Sequence, residues 1–217
     1  MVTATGRWIF YRRILQQLVV HPSAIATTGA LFHGRSAWEA GEPWWNAWAI
    51  RYLDRHLHPG DCVFEWGSGG STLYLASRGV RVTSIEHDRM WIRHVAERCP
   101  DTEVRLVEGK SEGHFRSELD GPDGGRNYFD AYVAAIDQRA DESIDIVIVD
   151  GVCRIECLRR AMPKVKRGGL LIVDDTDYSY LSCVDRQLEG WRGVRFTGFK
   201  RRPPLDIRET SFFHKPL

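Results

Sequence analysis

The 217-residue sequence has no excess of charge of either sign, because its 30 Lys and Arg residues nearly balance its 29 Asp and Glu residues. Nothing in this balance demands a nucleic acid or an acidic membrane as a partner. The apolar stretch at residues 6–20 is interrupted by Arg12, Arg13, Gln16 and Gln17, which makes it too polar for a membrane-spanning helix. We therefore expect a cytoplasmic protein without stable membrane insertion.

Cysteine is scarce and follows no metal-binding or redox pattern. None of the five cysteines forms a Cys-x-x-Cys pair, and Cys153 and Cys157 lie four residues apart on a predicted helix without further zinc ligands nearby. Reduced thiols packed in a cytoplasmic protein are the expected state. The hydrophobic fraction of 43% and the charged fraction of 27% are those of an ordinary globular domain, which buries a core without disulfides.

The pattern of apolar and polar residues divides the chain into a predicted helical extension at residues 1–58 and a predicted α/β domain at residues 59–217. A helix is predicted at residues 42–57, with Pro43 in its first turn. Four apolar residues recur there at helical spacing and predict one buried face: Trp45, Trp48, Tyr52 and Leu53. After residue 59, short apolar runs alternate with helical patterns, which is typical of a parallel sheet with crossover helices.

The α/β domain contains seven predicted strands and five predicted helices. The strands are expected near 61–65, 81–86, 103–107, 144–149, 169–174, 193–199 and 208–214. The helices are expected near 70–78, 89–99, 126–139, 153–166 and 178–189, the fourth ending at Gly168-Gly169. The last two strands are joined by residues 200–205, a basic loop with prolines, and are expected to pair as an antiparallel hairpin.

A glycine-rich turn follows the first predicted strand, which ends in Glu65. Glycine allows the backbone of Gly67-x-Gly69 to turn sharply and to approach a ligand closely. Thr72 stands where the dinucleotide-binding fingerprint has its third glycine, so the turn departs from that motif. A second carboxylate, Glu86, ends the next strand. A carboxylate there can accept both hydrogens of a ribose diol, although Glu86 could instead cap the following helix, as Asp88 could.

Four segments together resemble a known family. VFEWGSGGSTLYLA at 63–76, VTSIEHD at 82–88, IDIVIVDG at 144–151 and VKRGGLLIVDD at 165–175 resemble the successive motifs of class I S-adenosylmethionine-dependent methyltransferases, in particular a bacterial branch of predicted methyltransferases. The resemblance extends over residues 42–217. It implies a three-layer, Rossmann-like α/β fold with a seven-stranded sheet in the order 3-2-1-4-5-7-6, strand 7 being antiparallel.

The resemblance also implies where S-adenosylmethionine would bind. Glu65 would approach the methionine amino group, Glu86 would bind the ribose, and His87 and Glu108 would flank the adenine. The full set of residues assigned to the cofactor is Glu65, Trp66, Gly67, Ser68, Gly69, Ser71, Glu86, His87 and Glu108.

Three further carboxylates follow the fourth and fifth strands and are candidates for chemistry. Asp150 ends the fourth strand, and Asp174 and Asp175 end the fifth, so all three are expected at the ligand-binding edge of the sheet. They suit either a general base, Asp150 before Asp175, or a divalent metal cluster. The metal is not favoured, because Gly151 and Thr176 stand where metal-dependent O-methyltransferases have an acid and often an Asn.

These observations favour an S-adenosylmethionine-dependent methyltransferase that acts on a hydroxyl group of a small molecule. An NAD-type oxidoreductase and a cofactor-binding protein without catalysis remain alternatives. A nucleic acid acceptor is not expected, because the sequence contains no basic stripe beyond the short cluster Lys200-Arg201-Arg202. A homodimer is compatible with the sequence. Aromatic candidates for the acceptor wall are Trp44, Trp45, Tyr128 and Tyr178, and lesser catalytic candidates are His33 and His114.

Overall fold

The fold is built on one mixed sheet of seven strands. The computed structural model describes residues 37–117, 127–200 and 206–217, together with the single residue Val19. The strands are β1 Cys62–Trp66, β2 Arg81–Glu86, β3 Glu103–Leu106, β4 Ile144–Val149, β5 Val165–Asp174, β6 Arg192–Phe199 and β7 Ile207–His214. Their order is β3-β2-β1-β4-β5-β7-β6, and β7 runs antiparallel to both of its neighbours. This confirms the predicted fold class and strand order.

Helices connect the strands. They are α1 Ala37–Ala40, α2 Ala47–Asp54, α3 Gly70–Ala76, α4 Arg89–Arg98, α5 Asp130–Val133, α6 Arg154–Lys164 and α7 Val184–Gln187, with 3-10 turns at Ala134–Ile136 and Ser179–Leu181. None of the described helices is long and apolar enough to cross a membrane.

Side-chain alternation along the central strands produces three layers. On β4, Ile146 and Ile148 face one side of the sheet, where they join the core that contains Trp45. Val147 and Val149 face the other side and pack in the core with α6. A strand that is apolar at every position except Asp145 is therefore covered on both faces, as expected for the centre of a parallel sheet.

Several predicted helix boundaries are wrong. The fourth predicted helix ends at Lys164 instead of Gly168-Gly169, and both glycines lie within β5. The pairing of β4 with β5 is irregular at this point, and Gly168 has a φ of +73°, which glycine adopts without strain. The helices predicted at 126–139 and 178–189 are much shorter, being reduced to α5, α7 and the two 3-10 turns.

The predicted helix at 42–57 begins later than expected. Asn46 is its N-cap, and its side-chain oxygen accepts hydrogen bonds from the backbone N–H groups of Trp48 and Ala49. Pro43 therefore precedes the helix. Trp48 does not belong to the buried face, because 40% of its surface is exposed, whereas Trp45 is fully buried. The predicted helix at residues 6–20 and the candidate His33 lie outside the described residues.

Candidate functional site

The glycine turn after β1 fits closely against the end of β4. Gly67 has a φ of +93°, and a Cβ atom added to it would lie 2.7 Å from the backbone oxygen of Asp150. Its own N–H group donates a hydrogen bond to the backbone oxygen of Ile85 at 2.8 Å. Glycine is therefore required here for two reasons, the backbone conformation and the close approach of a neighbouring strand end.

A cavity of about 430 Å³ opens at this edge of the sheet, where the loops after β1, β2, β4 and β5 meet. Its volume falls within the range of small-molecule and cofactor sites. Its walls include the predicted residues Gly67, Ser68, Gly69, Ser71, Glu86, His87, Asp150 and Asp175. Residues from four separate parts of the chain thus meet at one place, as expected for the carboxyl ends of parallel strands.

Three of the nine residues assigned to the cofactor lie away from the cavity wall. Trp66 is fully buried in the core, where its indole N–H group donates to the backbone oxygen of Tyr132 at 2.8 Å. Glu108 is exposed and forms an ion pair with Arg89. Glu65 is fully buried beneath the glycine turn. The arrangement of these three side chains thus gives no support to their assignment as cofactor ligands.

Glu65 is surrounded by hydroxyl groups. Ser71 donates a hydrogen bond to its Oε1 atom, while Thr72 and Ser84 donate to Oε2 at 2.6 and 2.9 Å. Thr72 also accepts a hydrogen bond from the N–H group of Gly69 at 3.0 Å, so the threonine in place of a third glycine links the turn to this carboxyl group. Burial raises the pKa of Glu65 to about 7, although the three hydroxyls lower it.

Glu86 lines the cavity but already accepts several hydrogen bonds. Its Oε2 atom accepts from the N–H group of Ser68 at 2.7 Å and from the Ser68 hydroxyl at 3.2 Å. Its Oε1 atom accepts from the N–H groups of His87 and Asp88 at 2.7 and 2.8 Å. Burial raises the pKa of Glu86, but the His87 ring and these hydrogen bonds lower it by more than burial raises it. The net shift of the pKa is downward and favours the carboxylate form. Asp88 caps α4 by accepting a hydrogen bond from the N–H group of Met90, so this helix does not need Glu86 as its cap.

The acidic residues after β4 and β5 form a buried charge network with two cations that sequence reasoning missed. Arg154 donates to the backbone oxygen of Asp174 at 2.6 Å, and it lies 3.2 Å from Asp150 and 3.3 Å from Asp175. Lys200 lies 2.8 Å from Asp174 and 2.7 Å from Asp175. Arg154 comes four residues after Asp150 at the start of α6, so its proximity could have been inferred; Lys200 follows β6, and no local signal pointed to it.

Asp150 is the acid of this network that is most accessible from the cavity. Its side chain keeps 21% of its surface exposed, against 10% for Asp175 and 0% for Asp174. Its Oδ2 atom accepts a hydrogen bond from the indole N–H group of Trp45 at 3.3 Å. Burial and the nearby Asp174 carboxylate raise the pKa of Asp150 well above its usual range, although Arg154 and Lys200 lower it. A raised pKa suits a general base at neutral pH.

The three carboxylates could geometrically surround a metal ion, since one oxygen of each lies within 4.8 Å of the others. The cation positions, however, are taken by side chains: the Lys200 ammonium contacts two of the three carboxylates, and Arg154 contacts Asp150 and Asp175. As arranged, these residues do not fit a divalent ion.

Tryptophans form the outer wall of the cavity. Trp38, Trp44 and Trp91 line it, and the first and third of these rings meet edge to face with centroids 6.1 Å apart. Trp44 was expected on the acceptor wall, whereas Trp38 and Trp91 were missed. The other aromatic candidates, Trp45, Tyr128 and Tyr178, are not on the wall, and His114 is exposed and paired with Asp130.

No model of a known protein family matches the chain, and no curated protein matches its sequence. Solved structures do match. An S-adenosylmethionine-dependent O-methyltransferase from Thermotoga maritima is 12% identical, with a TM-score of 0.51, over 78% of this chain and 64% of that one. A proposed sarcosine dimethylglycine methyltransferase from Galdieria sulphuraria is 11% identical, with a TM-score of 0.50, over 78% and 84%. The fold is that of the S-adenosylmethionine-dependent methyltransferases. The bacterial branch stays a prediction.

Proposed function

We propose that this protein transfers a methyl group from S-adenosylmethionine to a hydroxyl group of a small molecule. The observation that carries the proposal is the meeting of the glycine turn, the Glu86 carboxylate and Asp150 in the walls of one cavity. A cofactor bound along the first two would bring its reactive end toward the third. The volume of about 430 Å³ and the enclosing tryptophans favour a small acceptor over a macromolecule.

The residues of the turn would hold the cofactor. Gly67 and Gly69 leave room for close approach to the backbone, and Glu86 would accept hydrogen bonds from the ribose hydroxyls. Because the oxygens of Glu86 are already engaged, the ribose would replace the Ser68 hydroxyl, whose 3.2 Å hydrogen bond is the longest of the four contacts from Ser68, His87 and Asp88. When bound, S-adenosylmethionine supplies a methyl group on a positively charged sulfonium.

Asp150 would orient the acceptor and remove its proton. Methyl transfer needs the acceptor oxygen in line with the methyl group, and positioning supplies much of the rate. Trp45 and Arg154 fix the two oxygens of Asp150, so its carboxylate faces the cavity in a defined orientation. The described part of the predicted N-terminal extension, residues 37–58, would help to form the acceptor pocket, since its Trp38 and Trp44 line the cavity.

Cofactor identity is tested by calorimetric titration with S-adenosylmethionine, S-adenosylhomocysteine and NAD. We expect the first two to bind, and a Glu86→Ala variant to bind them about 10- to 100-fold more weakly, since hydrogen bonds to charged groups contribute about 1.5–3 kcal/mol. Glu108→Ala is the matched control, because Glu108 lies outside the wall. Tight NAD binding with no response to the other two ligands would replace this proposal with an oxidoreductase.

The role of Asp150 is tested by turnover with a panel of hydroxyl-bearing small molecules. Asp150→Asn is expected to lower kcat by about 10²–10⁴-fold, the range for loss of a general base, while the affinity for S-adenosylmethionine stays the same. Asp145→Asn on the same strand is the control, because its carboxylate pairs with Lys166 away from the cavity. Cofactor binding without turnover on any acceptor would point to a binding protein, and unchanged turnover of Asp150→Asn would remove Asp150 as the base.

A further inference from the structure

The carboxylates of Asp150, Asp174 and Asp175 are too close together to remain charged without a cation among them. One oxygen of each lies within 4.8 Å of the other two. Like charges at such distances inside a protein strongly oppose ionisation unless positive charge balances them. Positive charge must therefore reside in this cluster for the acids to be ionised, and Arg154, beside Asp150 and Asp175, supplies part of it.

The Lys200 side chain lies at that position. Its ammonium group is 2.8 Å from an Asp174 oxygen and 2.7 Å from an Asp175 oxygen, and only 8% of the side chain is exposed. Oxygens of two carboxylates thus converge on one positive centre, as they do around a metal ion. The ring of Trp44 covers the same ammonium group, with its centroid 5.2 Å away.

The backbone around Lys200 fixes the position of this ammonium group. Its N–H group donates to the backbone oxygen of Asp206 across the hairpin, and the residue forms an isolated β-bridge with Asn46. On the opposite side, Thr210 donates to the remaining oxygen of Asp174 at 2.6 Å. Both the cation and its acceptors are therefore held in place before any ligand binds.

We propose that Lys200 is the resident cation of this cluster and occupies the position in which a divalent metal ion would otherwise bind. It acts as a positioning residue, because it balances Asp174 and Asp175 and so fixes the charge beside Asp150. The inference about the cation position stands on the geometry alone, and only its consequence for turnover rests on the proposed function.

The test is to remove the ammonium group and offer a metal. Lys200→Met keeps the length of the side chain but removes the ammonium group from Asp174 and Asp175, while Arg154 stays beside Asp150 and Asp175. Carboxylates suit Mn²⁺. We expect Mn²⁺ to bind one site per Lys200→Met molecule with a dissociation constant below about 1 mM, at least about tenfold tighter than in the wild type. Electron paramagnetic resonance of the free ion measures this binding. Lys166→Met, which removes a lysine from the isolated Asp145 pair, is the matched control and should resemble the wild type.

Two results would overturn the proposal. One is a Lys200→Met protein that folds but binds Mn²⁺ no better than the wild type. The other is a saturable Mn²⁺ site at this cluster in the wild type, because Lys200 would then leave room for a metal. Neither measurement requires cofactor or acceptor, so failure here is distinguishable from failure of the methyltransferase proposal. With an acceptor in hand, Mn²⁺ should restore part of the turnover lost in Lys200→Met, and chelator should leave wild-type turnover unchanged.

A failure of Lys200→Met to fold without metal also decides the question. The double variant Lys200→Met/Asp174→Asn removes one charge of each sign and should fold without added ions. If this double variant folds but Lys200→Met fails to fold with and without Mn²⁺, the metal cannot replace the ammonium group and the proposal is wrong. Refolding of Lys200→Met that depends on Mn²⁺ would support it.

Discussion

Replacing Glu65 by glutamine should stabilise the protein at alkaline pH. Glu65 is fully buried, and apart from burial the main influences on its pKa are three hydroxyl groups and the Glu86 carboxylate, none of which is a cation. Its oxygens face the hydroxyls of Ser71, Thr72 and Ser84, each of which can donate or accept a hydrogen bond. A glutamine amide can therefore keep these contacts without a buried negative charge.

The magnitude follows from the pKa. The ordinary pKa of 4.5 is raised to about 7 in the folded protein, and each pH unit between them corresponds to about 1.4 kcal/mol, or about 3 kcal/mol in all. Because the pKa is raised in the folded protein, Glu65 binds its proton more tightly in the folded than in the unfolded state, and its protonation stabilises the fold. The stabilising contribution is complete below pH 4.5 and is lost as the pH rises through about 7. Glu65→Gln lacks this loss.

Urea unfolding of wild type and Glu65→Gln at pH 5 and pH 8 measures the effect. The free energies of unfolding should be similar at pH 5, while at pH 8 the variant should be more stable by up to about 3 kcal/mol. Glu108→Gln is the control, because solvent screens its exposed ion pair with Arg89, so the substitution should change the stability little at either pH. A Glu65→Gln protein that is less stable than the wild type at pH 8 would refute the reasoning, since it would mean that the folded protein stabilises the ionised carboxylate.

Two further predictions concern other elements. Gly67→Ala should lose more than about 1 kcal/mol of stability in urea unfolding, because the new side chain would combine a positive φ with a close contact to the Asp150 backbone. Gly60→Ala is the control, because Gly60 has a similar φ of +88° but a Cβ atom there would have no atom within 4 Å, so its loss of stability should be smaller. Equal losses in the two variants would exclude the contact as the cause. His214 accepts from or donates to the Tyr52 hydroxyl at 2.8 Å, and burial, Arg192 and His56 lower its pKa below 6.5. Stability linked to His214 should therefore fall as the pH decreases through and below 6.5, and His214→Gln should lose less stability than the wild type between pH 7.5 and pH 5; identical losses would contradict this.

The sheet could be predicted from the sequence because its strands are defined by local pattern. β4 is apolar at nearly every position, and the order of the strands followed from the resemblance of the four motifs. Helix ends were less predictable. Gly168-Gly169 reads as a helix terminator, but the β4–β5 pairing extends the strand through it, and Lys164 ends the helix instead. Such tertiary pairing leaves no mark in the local sequence.

The site was predictable where a residue stands at the end of a strand, as Glu86 does, or directly after one, as Asp150 does. Trp66 was assigned to the cofactor because of its place beside the glycine turn, yet side chains alternate along a strand, and its side chain points into the core. Lys200 could not be found from the sequence. Its role depends on how the β6–β7 hairpin aligns with the end of β5, which brings together residues 26 positions apart.

The carboxyl groups at this sheet edge differ in charge because their neighbours differ. Burial raises the pKa of Glu65, and its three hydroxyl donors offset this only in part. Burial also raises the pKa of Glu86, but the His87 side chain and the backbone N–H groups outweigh it and lower the pKa. Asp175 owes its lowered pKa to Lys200 and Arg154, which outweigh its burial. Negative charge is thus retained where the ribose of the proposed cofactor would bind, while the charge after β5 is balanced by Lys200. Asp150 lies between these regions with a raised pKa, so it is the carboxyl group of the cavity wall best suited to gain and release a proton near neutral pH.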